Sequence, residues 1–350
     1  MAQPVLVELW RGDIVESFHR GAFAVVDAGG AVLRQGGDVD RPVYARSAVK
    51  GLQALPLVAS GAAERFGLTN EELALACASH GGQPEHVATA TSMLAKAGLD
   101  LDVLECGAHW PSNEQASRAL AAAGETPCAL HNNCSGKHSG FACLGALMAG
   151  DADRARGLLR GYVEPDHVVM REIGASLESA TGVRVADAPR ATDGCSIPTF
   201  GFPLRALAHA FARFGTGAGM SPDRARAAAR LREAVAAAPL MVAGTGRLDT
   251  RLMTHFGTRL FCKVGAEGVY CAALPELGLG LALKMDDGNT ARAAEVAVVA
   301  LVESLLALDD ADRAFVAPLR DVELRNWNGR LVGRLAATAF AAGGSEQPAR

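Results

Sequence analysis

Arg46-Ser47-Ala48-Val49-Lys50 is the stretch from which the rest of the chain is read. The segment before it reads as strands and the segment after it as helix. Residues three apart in a helix share a face, so Ser47 Oγ and Lys50 Nζ can meet. A serine hydroxyl is a poor nucleophile until a base takes its proton. A lysine becomes such a base when burial or a neighbouring cation disfavours its charge. Alone the pattern is weak, because an N-cap serine followed by a solvated lysine has the same spacing.

The 350 residues suffice for one large domain or two smaller ones, and 49% hydrophobic with 21% charged composition suits a globular chain with a substantial core. Aromatics are only 5%, so that core is built from Ala, Leu and Val. A net charge of −4 leaves no electrostatic footprint for nucleic acid. No stretch approaches eighteen uninterrupted apolar residues, and Met1 to Val5 lacks a basic region leading into an apolar run. The expectation is a cytoplasmic protein with no membrane partner. There the eight cysteines are free thiols or metal ligands rather than a disulfide framework.

Working outward from Ser47, strands are expected at Val5–Trp10, Ile14–His19, Ala22–Asp27 and Ala31–Gln35, the last two joined at Gly29-Gly30. The helix carrying Ser47 follows Pro42. Gly51 allows close packing beside Lys50, and Pro56 ends or kinks the helix. Thr69-Asn70-Glu71-Glu72 is a capping box, and Ser112 to Gln115 a second one before an alanine-rich helix. Helices are expected at 84–99, 139–148, 152–162, 165–180, 202–213 and 222–238. Strands follow at Leu260–Val264, Val269–Ala273 and Leu279–Met285, a long helix at Asn289–Leu308, and a final strand near 325–330. Strands at both ends and helices between predict an α+β fold whose antiparallel sheet draws on both termini. No linker composition divides the chain. We read one catalytic unit over 1–335 and a tail at 336–350, disordered over Gly343–Arg350.

Three motifs then stand in order: Ser47-x-x-Lys50, Ser79-His80-Gly81, and Lys263-Val264-Gly265 in an expected strand. Serine β-lactamases order a Ser-x-x-Lys motif, a second serine motif and a Lys-Thr-Gly strand in the same way. In this scheme one serine attacks a carbonyl carbon with a lysine as base. A second Ser–Lys pair relays the proton to the leaving group, and backbone N–H groups of Ser47 and the 263–265 region stabilise the oxyanion. Singly, Lys263 reads as an edge-strand lysine and Ser79 as a turn serine. Together they are harder to obtain by accident.

These motifs, with Cys77-Ala78-Ser79-His80, His131-Asn132-Asn133-Cys134-Ser135-Gly136-Lys137-His138, Asp193-Gly194-Cys195-Ser196 and Val242-Ala243-Gly244-Thr245-Gly246-Arg247, resemble the asparaginase II family, the Rhizobium-type L-asparaginases. The resemblance runs co-linearly over roughly residues 5 to 335. It implies a fold similar to serine β-lactamases and glutaminases. It also implies hydrolysis of the L-asparagine side-chain amide to aspartate and ammonia, with catalytic pairs Ser47 with Lys50 and Ser79 with Lys263, Ser47 being the nucleophile. The family's zinc site, two cysteines and a lysine, falls on Cys134, Lys137 and Cys195. From spacing alone, His131, Cys134 and His138 with Cys195 form an alternative zinc set. A homodimer follows by analogy.

For the substrate's charged ends, Asp193 is assigned the α-ammonium, Arg46 the α-carboxylate by a bidentate bond, and His138 a hydrogen bond. Arg247 and Asp249 read as a mutual pair. Cys106, Cys128, Cys143, Cys262 and Cys271 read as buried apolar residues. Dinucleotide and phosphate motifs fail, since Gly244-Thr245-Gly246 lacks its third glycine and Gly136-Lys137 lacks the upstream one. Competing readings are a glutaminase, a β-lactam or ester hydrolase, and a non-catalytic metal- or small-molecule-binding protein on the same fold.

Overall fold

The structure is a computed structural model and describes residues 3–341. Strands β1 (Val5–Arg11), β2 (Ile14–Asp27), β3 (Val32–Gly36), β7 (Phe261–Val264), β8 (Val269–Leu274), β9 (Leu279–Met285), β10 (Asp321–Arg325) and β11 (Leu331–Ala337) form one sheet. Their order is β10-β11-β1-β2-β9-β8-β7, with β3 also paired to β2, and each pairing is antiparallel. The sheet therefore takes strands from both ends of the chain, as expected. Three short strands, β4 (Pro42–Tyr44), β5 (Arg190–Thr192) and β6 (Pro198–Pro203), make a second sheet in the order β4-β6-β5.

The two expected strands at 14–19 and 22–27 are one fourteen-residue strand. Gly21, in the gap between them, marks a close crossing: a Cβ there would lie 2.5 Å from the Lys284 carbonyl oxygen of β9. Arg325 ends β10, and residues 326–330 are the turn between β10 and β11 rather than a strand. The 335 boundary falls inside β11. Thr338 Oγ1 donates to the Val5 carbonyl at 2.9 Å and Ala341 is fully buried, so the fold continues past it. The disorder expected over Gly343–Arg350 lies outside the described residues.

Every residue of β8 is buried, so both faces of the sheet are covered there. Helix Leu204–Thr216 packs on β2, β8 and β9, while helices Glu295–Leu305 and Asp310–Arg320 pack on β1, β10 and β11. The expected single helix at Asn289–Leu308 begins instead with a π-turn at Thr290–Ala294 and ends at Leu305, and Asp310–Arg320 was not expected. The buried apolar side chains from Leu6 to Ala341 make one contiguous core.

Local signals behave as their chemistry dictates. Thr69 and Glu72 form the expected reciprocal capping box on helix Asn70–Ala76. The later cap belongs to Asn113 rather than Ser112, its Oδ1 accepting the Ala116 N–H at 2.9 Å. Pro42 opens β4 and not a helix. Residues Arg46–Val49 form a 3₁₀ turn, followed by short helices Lys50–Gln53 and Leu55–Ala59, with Pro56 near the start of the second.

Helix Ser135–Ala149 is buried from Ser135 through Ala146 and sets the centre of the helical half. It touches helix Asn70–Ala76 at Gly136, where a Cβ would stand 2.4 Å from the Leu75 carbonyl oxygen. That contact fixes Cys134 and Lys137 relative to Ser79. Alanine ordinarily favours a helix over glycine, but here the neighbour is backbone and cannot move aside. Gly136→Ala is therefore expected to destabilise by about 1–3 kcal/mol, read as a lower urea midpoint at unchanged m-value.

Candidate active site

Lys50, just after the 3₁₀ turn, meets the residues after helix Asn70–Ala76 and Cys134 at the start of helix Ser135–Ala149, while the loop through Asp193 and Cys195 joins them through Arg46 and Lys137. The Lys50 side chain is buried. Its Nζ lies 2.6 Å from the Ala78 carbonyl, 2.9 Å from Ser79 Oγ and 3.1 Å from Cys134 Sγ. The amine has three polar neighbours, and when it is neutral the Ser79 hydroxyl can donate to its lone pair. Ser79 is held from behind, its N–H donating to the Val242 carbonyl at 2.8 Å.

The sequence pairs Ser47 with Lys50; in the structure the hydroxyl bonded to Lys50 is that of Ser79. Ser47 is half-buried at the mouth of the turn, and among the described residues no hydrogen bond of its hydroxyl is found. The cause is local. Spacing three brings the two residues one turn apart, but the Lys50 stem runs inward to buried acceptors while Ser47 stays at the rim.

Lys263 on β7 is fully buried. Its Nζ donates to the Val264 carbonyl at 2.8 Å and lies 3.6 Å from Asp249 Oδ2; no hydrogen bond joins it to Ser79 among the described residues. Burial is the largest influence on Lys263 and lowers its pKa; Asp249 opposes this, Lys50 and Arg247 add to it, and the result is about 8. Asp249, read as a partner for Arg247, instead serves Lys263. It is the residue the sequence reading missed, and its only signal was an acid in the first turn of a helix, Leu248–Phe256, following a glycine-rich stretch.

Cys134, Lys137 and Cys195 are brought together. Lys137 Nζ donates to Cys195 Sγ at 3.0 Å. The Cys195 thiol donates a hydrogen bond to the Cys134 sulfur. That bond, with Lys50 and Lys137 nearby, outweighs burial and holds the Cys134 thiol well below its ordinary range. The same bond, with burial, pushes Cys195 up. Burial works against the Lys137 charge, but Cys134 and Cys195 outweigh it and hold the ammonium above its ordinary range. Two sulfurs and one amine converging in a buried pocket suit a soft divalent ion once Lys137 has lost its proton. The donor set thus fits zinc.

The alternative set built on His131 and His138 does not form: among the described residues no group of three or more His, Cys, Asp or Glu side chains could hold a metal. His131 Nδ1 accepts the Cys128 N–H at 3.1 Å. His138 Nδ1 lies 2.5 Å from the Tyr162 hydroxyl, which itself accepts the Glu105 N–H at 3.1 Å. The hydroxyl can donate to Nδ1 or accept from an Nδ1–H, since it has one hydrogen and two lone pairs. The buried His138 Nε2 has no hydrogen-bond partner among the described residues. It is an unpaired polar atom inside the protein.

Arg46 Nε donates to Asp193 Oδ1 at 2.6 Å. Burial raises the Asp193 carboxyl, but Lys137 and Arg46 outweigh it and lower it below its ordinary value. Arg46, Ser196 and Glu267 are the non-glycine residues with positive φ among those described, at 49°, 75° and 58°. They precede Ser47, follow Cys195 and follow Gly265. Strained backbone thus gathers around the same place. A Cβ at Gly265 would lie 2.7 Å from the Ala45 carbonyl, so glycine lets the end of β7 reach the Ser47 turn. The Gly265 N–H is already given to the Val269 carbonyl at 2.8 Å, which removes it as an oxyanion donor. Beside Arg46 opens a cleft of about 270 Å³, lined by Arg41, Tyr44, Glu267 and Lys284 among others.

Of the five cysteines read as buried, four are; Cys128 is half-buried beside His131. No helix among the described residues is long and apolar enough to cross a membrane.

Because Lys263 titrates near 8 in the fold and near its ordinary 10.5 when unfolded, the unfolded chain binds more protons between those values. Stability is then expected to rise with pH across that window, by on the order of 3 kcal/mol for this group. Lys263→Met should flatten the rise, as followed by urea midpoints from pH 7 to 10.5.

No curated protein sequence matches the chain. Among solved structures, a crystal structure of a beta-lactamase from Mycobacterium bovis is similar over 77% of this chain and 88% of its own, at 14% identity and a TM-score of 0.34. The model of the L-asparaginase II family matches residues 7–337, nearly the whole described chain. That match spans Ser47, Lys50, Ser79, Cys134, Cys195 and Lys263, and by it the chain belongs to the L-asparaginase II family.

Proposed function

We propose that the chain hydrolyses the side-chain amide of L-asparagine, giving L-aspartate and ammonia. Family membership supports an amidohydrolase role. The observation that carries the finer reading is the contact of buried Lys50 with Ser79 Oγ at 2.9 Å, one turn from the free Ser47 hydroxyl. Ser47 Oγ attacks the amide carbon and its proton passes to the Lys50–Ser79 pair. The pair returns the proton to the departing nitrogen, and ammonia leaves an ester on Ser47. Water then hydrolyses the ester. The N–H of Ser47, which has no acceptor among the described residues, faces the developing oxyanion.

Arg46 and Asp193, paired with each other, form a ready clamp for the zwitterionic end of an α-amino acid. Their mutual bond is exchanged for one to the α-carboxylate and one to the α-ammonium. The unpaired His138 Nε2 is a further hydrogen-bonding atom for the substrate. Cys134, Lys137 and Cys195 would hold zinc, which when bound supplies a Lewis acid and a fixed positive charge beside the clamp.

A second reading has a specific observation behind it: Ser79 rather than Ser47 lies at nucleophile–base distance from a lysine. Ammonia release from L-asparagine and L-glutamine, with acyl-enzyme mapping by mass spectrometry, separates the two. Ser47→Ala is expected to lower kcat by at least about 10³-fold and abolish the adduct. Ser79→Ala is expected to slow turnover by about 10²-fold or more while the adduct still forms on Ser47. An adduct on Ser79 would transfer the nucleophile's role. The asparagine-to-glutamine ratio reports the pocket, since one methylene changes discrimination by about 1–3 kcal/mol. Silence on both amides, with binding retained, would favour the non-catalytic reading.

Two further outcomes follow. Elemental analysis should find about one zinc per chain, lost in Cys134→Ser and Cys195→Ser. The reading also takes the chain as a cytoplasmic homodimer, supported by exposed Ile14, Phe18 and Leu331 on the sheet. Light scattering should then give twice the 36.2 kDa of one chain.

A further inference from the structure

Lys263 is fully buried on a strand, so the groups around it set its charge. One carboxylate faces it, that of Asp249, itself buried. Asp249 Oδ2 lies 3.6 Å from Lys263 Nζ and accepts the Val264 N–H at 3.1 Å. Its other oxygen accepts the Tyr270 hydroxyl from β8. A single side chain thus ties helix Leu248–Phe256 to β7 and to the neighbouring strand. The tie is made at the residue pair that carries the amine.

We propose that Asp249 is the positioning residue of Lys263, orienting its amine from behind and setting its charge state at rest, with the Tyr270 hydroxyl sharing the carboxylate. The proposal rests on the amidase reading for its functional meaning, while its physical content does not require turnover.

The geometry argues against a merely structural ion pair in two ways. The carboxylate is divided among three partners, so it compensates Lys263 only in part. The remaining neighbours of Lys263 are Lys50, Arg247, Cys262, Cys77 and Cys271, of which the two cations oppose its charge. Asp249 is in turn faced by Glu295, whose carboxyl is pushed up to about 7, first by burial and then by Asp249 itself. Lys263 therefore sits between one shared anion and two cations. A small change in how Asp249 is shared moves its protonation. That suits an amine that must take and release a proton rather than hold one.

The test is a direct titration of the full chain labelled with ¹³Cε-lysine and followed by NMR, Lys263 being assigned with Lys263→Met. Asp249→Asn is expected to lower the Lys263 midpoint by about one pH unit or more, since an opposite charge at this range supports an ammonium by about 1–3 units. Tyr270→Phe leaves the carboxylate to Lys263 and the Val264 N–H alone and is expected to raise the midpoint. Where activity is present, the pH profile of kcat should move in the same direction in each variant, with KM little changed. Should Asp249→Asn fail to fold, Tyr270→Phe and Asp249→Glu carry the measurement. Midpoints unmoved by the variants that fold would overturn the proposal. Midpoints that move in a chain with no amidase activity would uphold it and refute the functional reading separately.

Discussion

Three lysines, Lys50, Lys137 and Lys263, are buried to within 2% of complete enclosure, and the functional half of the molecule is arranged to make that tolerable. An uncompensated buried ammonium is severely unfavourable. Each lysine is compensated differently. Lys50 has a carbonyl, a hydroxyl and a sulfur. Lys137 has the sulfur of Cys195, to which it donates, with that of Cys134 close enough to favour its charge. Lys263 has a carbonyl and a shared carboxylate. None has a carboxylate to itself within hydrogen-bond reach. Of the three, burial lowers the pKa of Lys263 while the two sulfurs hold Lys137 charged.

Close approach is the second constraint. Gly51 admits the Phe261 ring, Gly136 the Leu75 carbonyl, Gly265 the Ala45 carbonyl and Gly280 the Ala208 carbonyl. The first three bring the Ser47 turn, the end of helix Asn70–Ala76, the start of helix Ser135–Ala149 and strand β7 to one place. The last seats helix Leu204–Thr216 on β9. Removing a Cβ at these crossings is what lets segments distant in sequence share one small volume, and the alanine-rich core around them supplies few bulky side chains to keep them apart.

The cost is visible in the backbone. Arg46 and Ser196 hold left-handed conformations on the two loops that carry the Arg46–Asp193 pair, and Glu267 does so just beyond Gly265. Such strain persists where surrounding contacts over-determine it. Here those contacts are the ion pair, the sulfur cluster and the packing of β7 on the Ser47 turn.

The sequence by itself determined the class of fold and most of the cast. Alternating strands at both ends and a capped helical middle specify an antiparallel sheet closed by both termini, because period and capping are local properties. Ser47, Ser79 and Lys263 were legible as motifs in a fixed order, and Cys134, Lys137 and Cys195 were legible as a set through the family resemblance. Tertiary structure decided who meets whom. Spacing places Ser47 and Lys50 one turn apart, yet the lysine reaches inward to Ser79, since only the folded interior supplies its acceptors. The gap left between the expected strands at 14–19 and 22–27 holds Gly21, a crossing rather than a gap, because the strand it meets arrives from more than 250 residues away. Asp249 reads as the partner of Arg247 and is the partner of Lys263, a choice made by the registry of β7 against a helix that no local signal encodes.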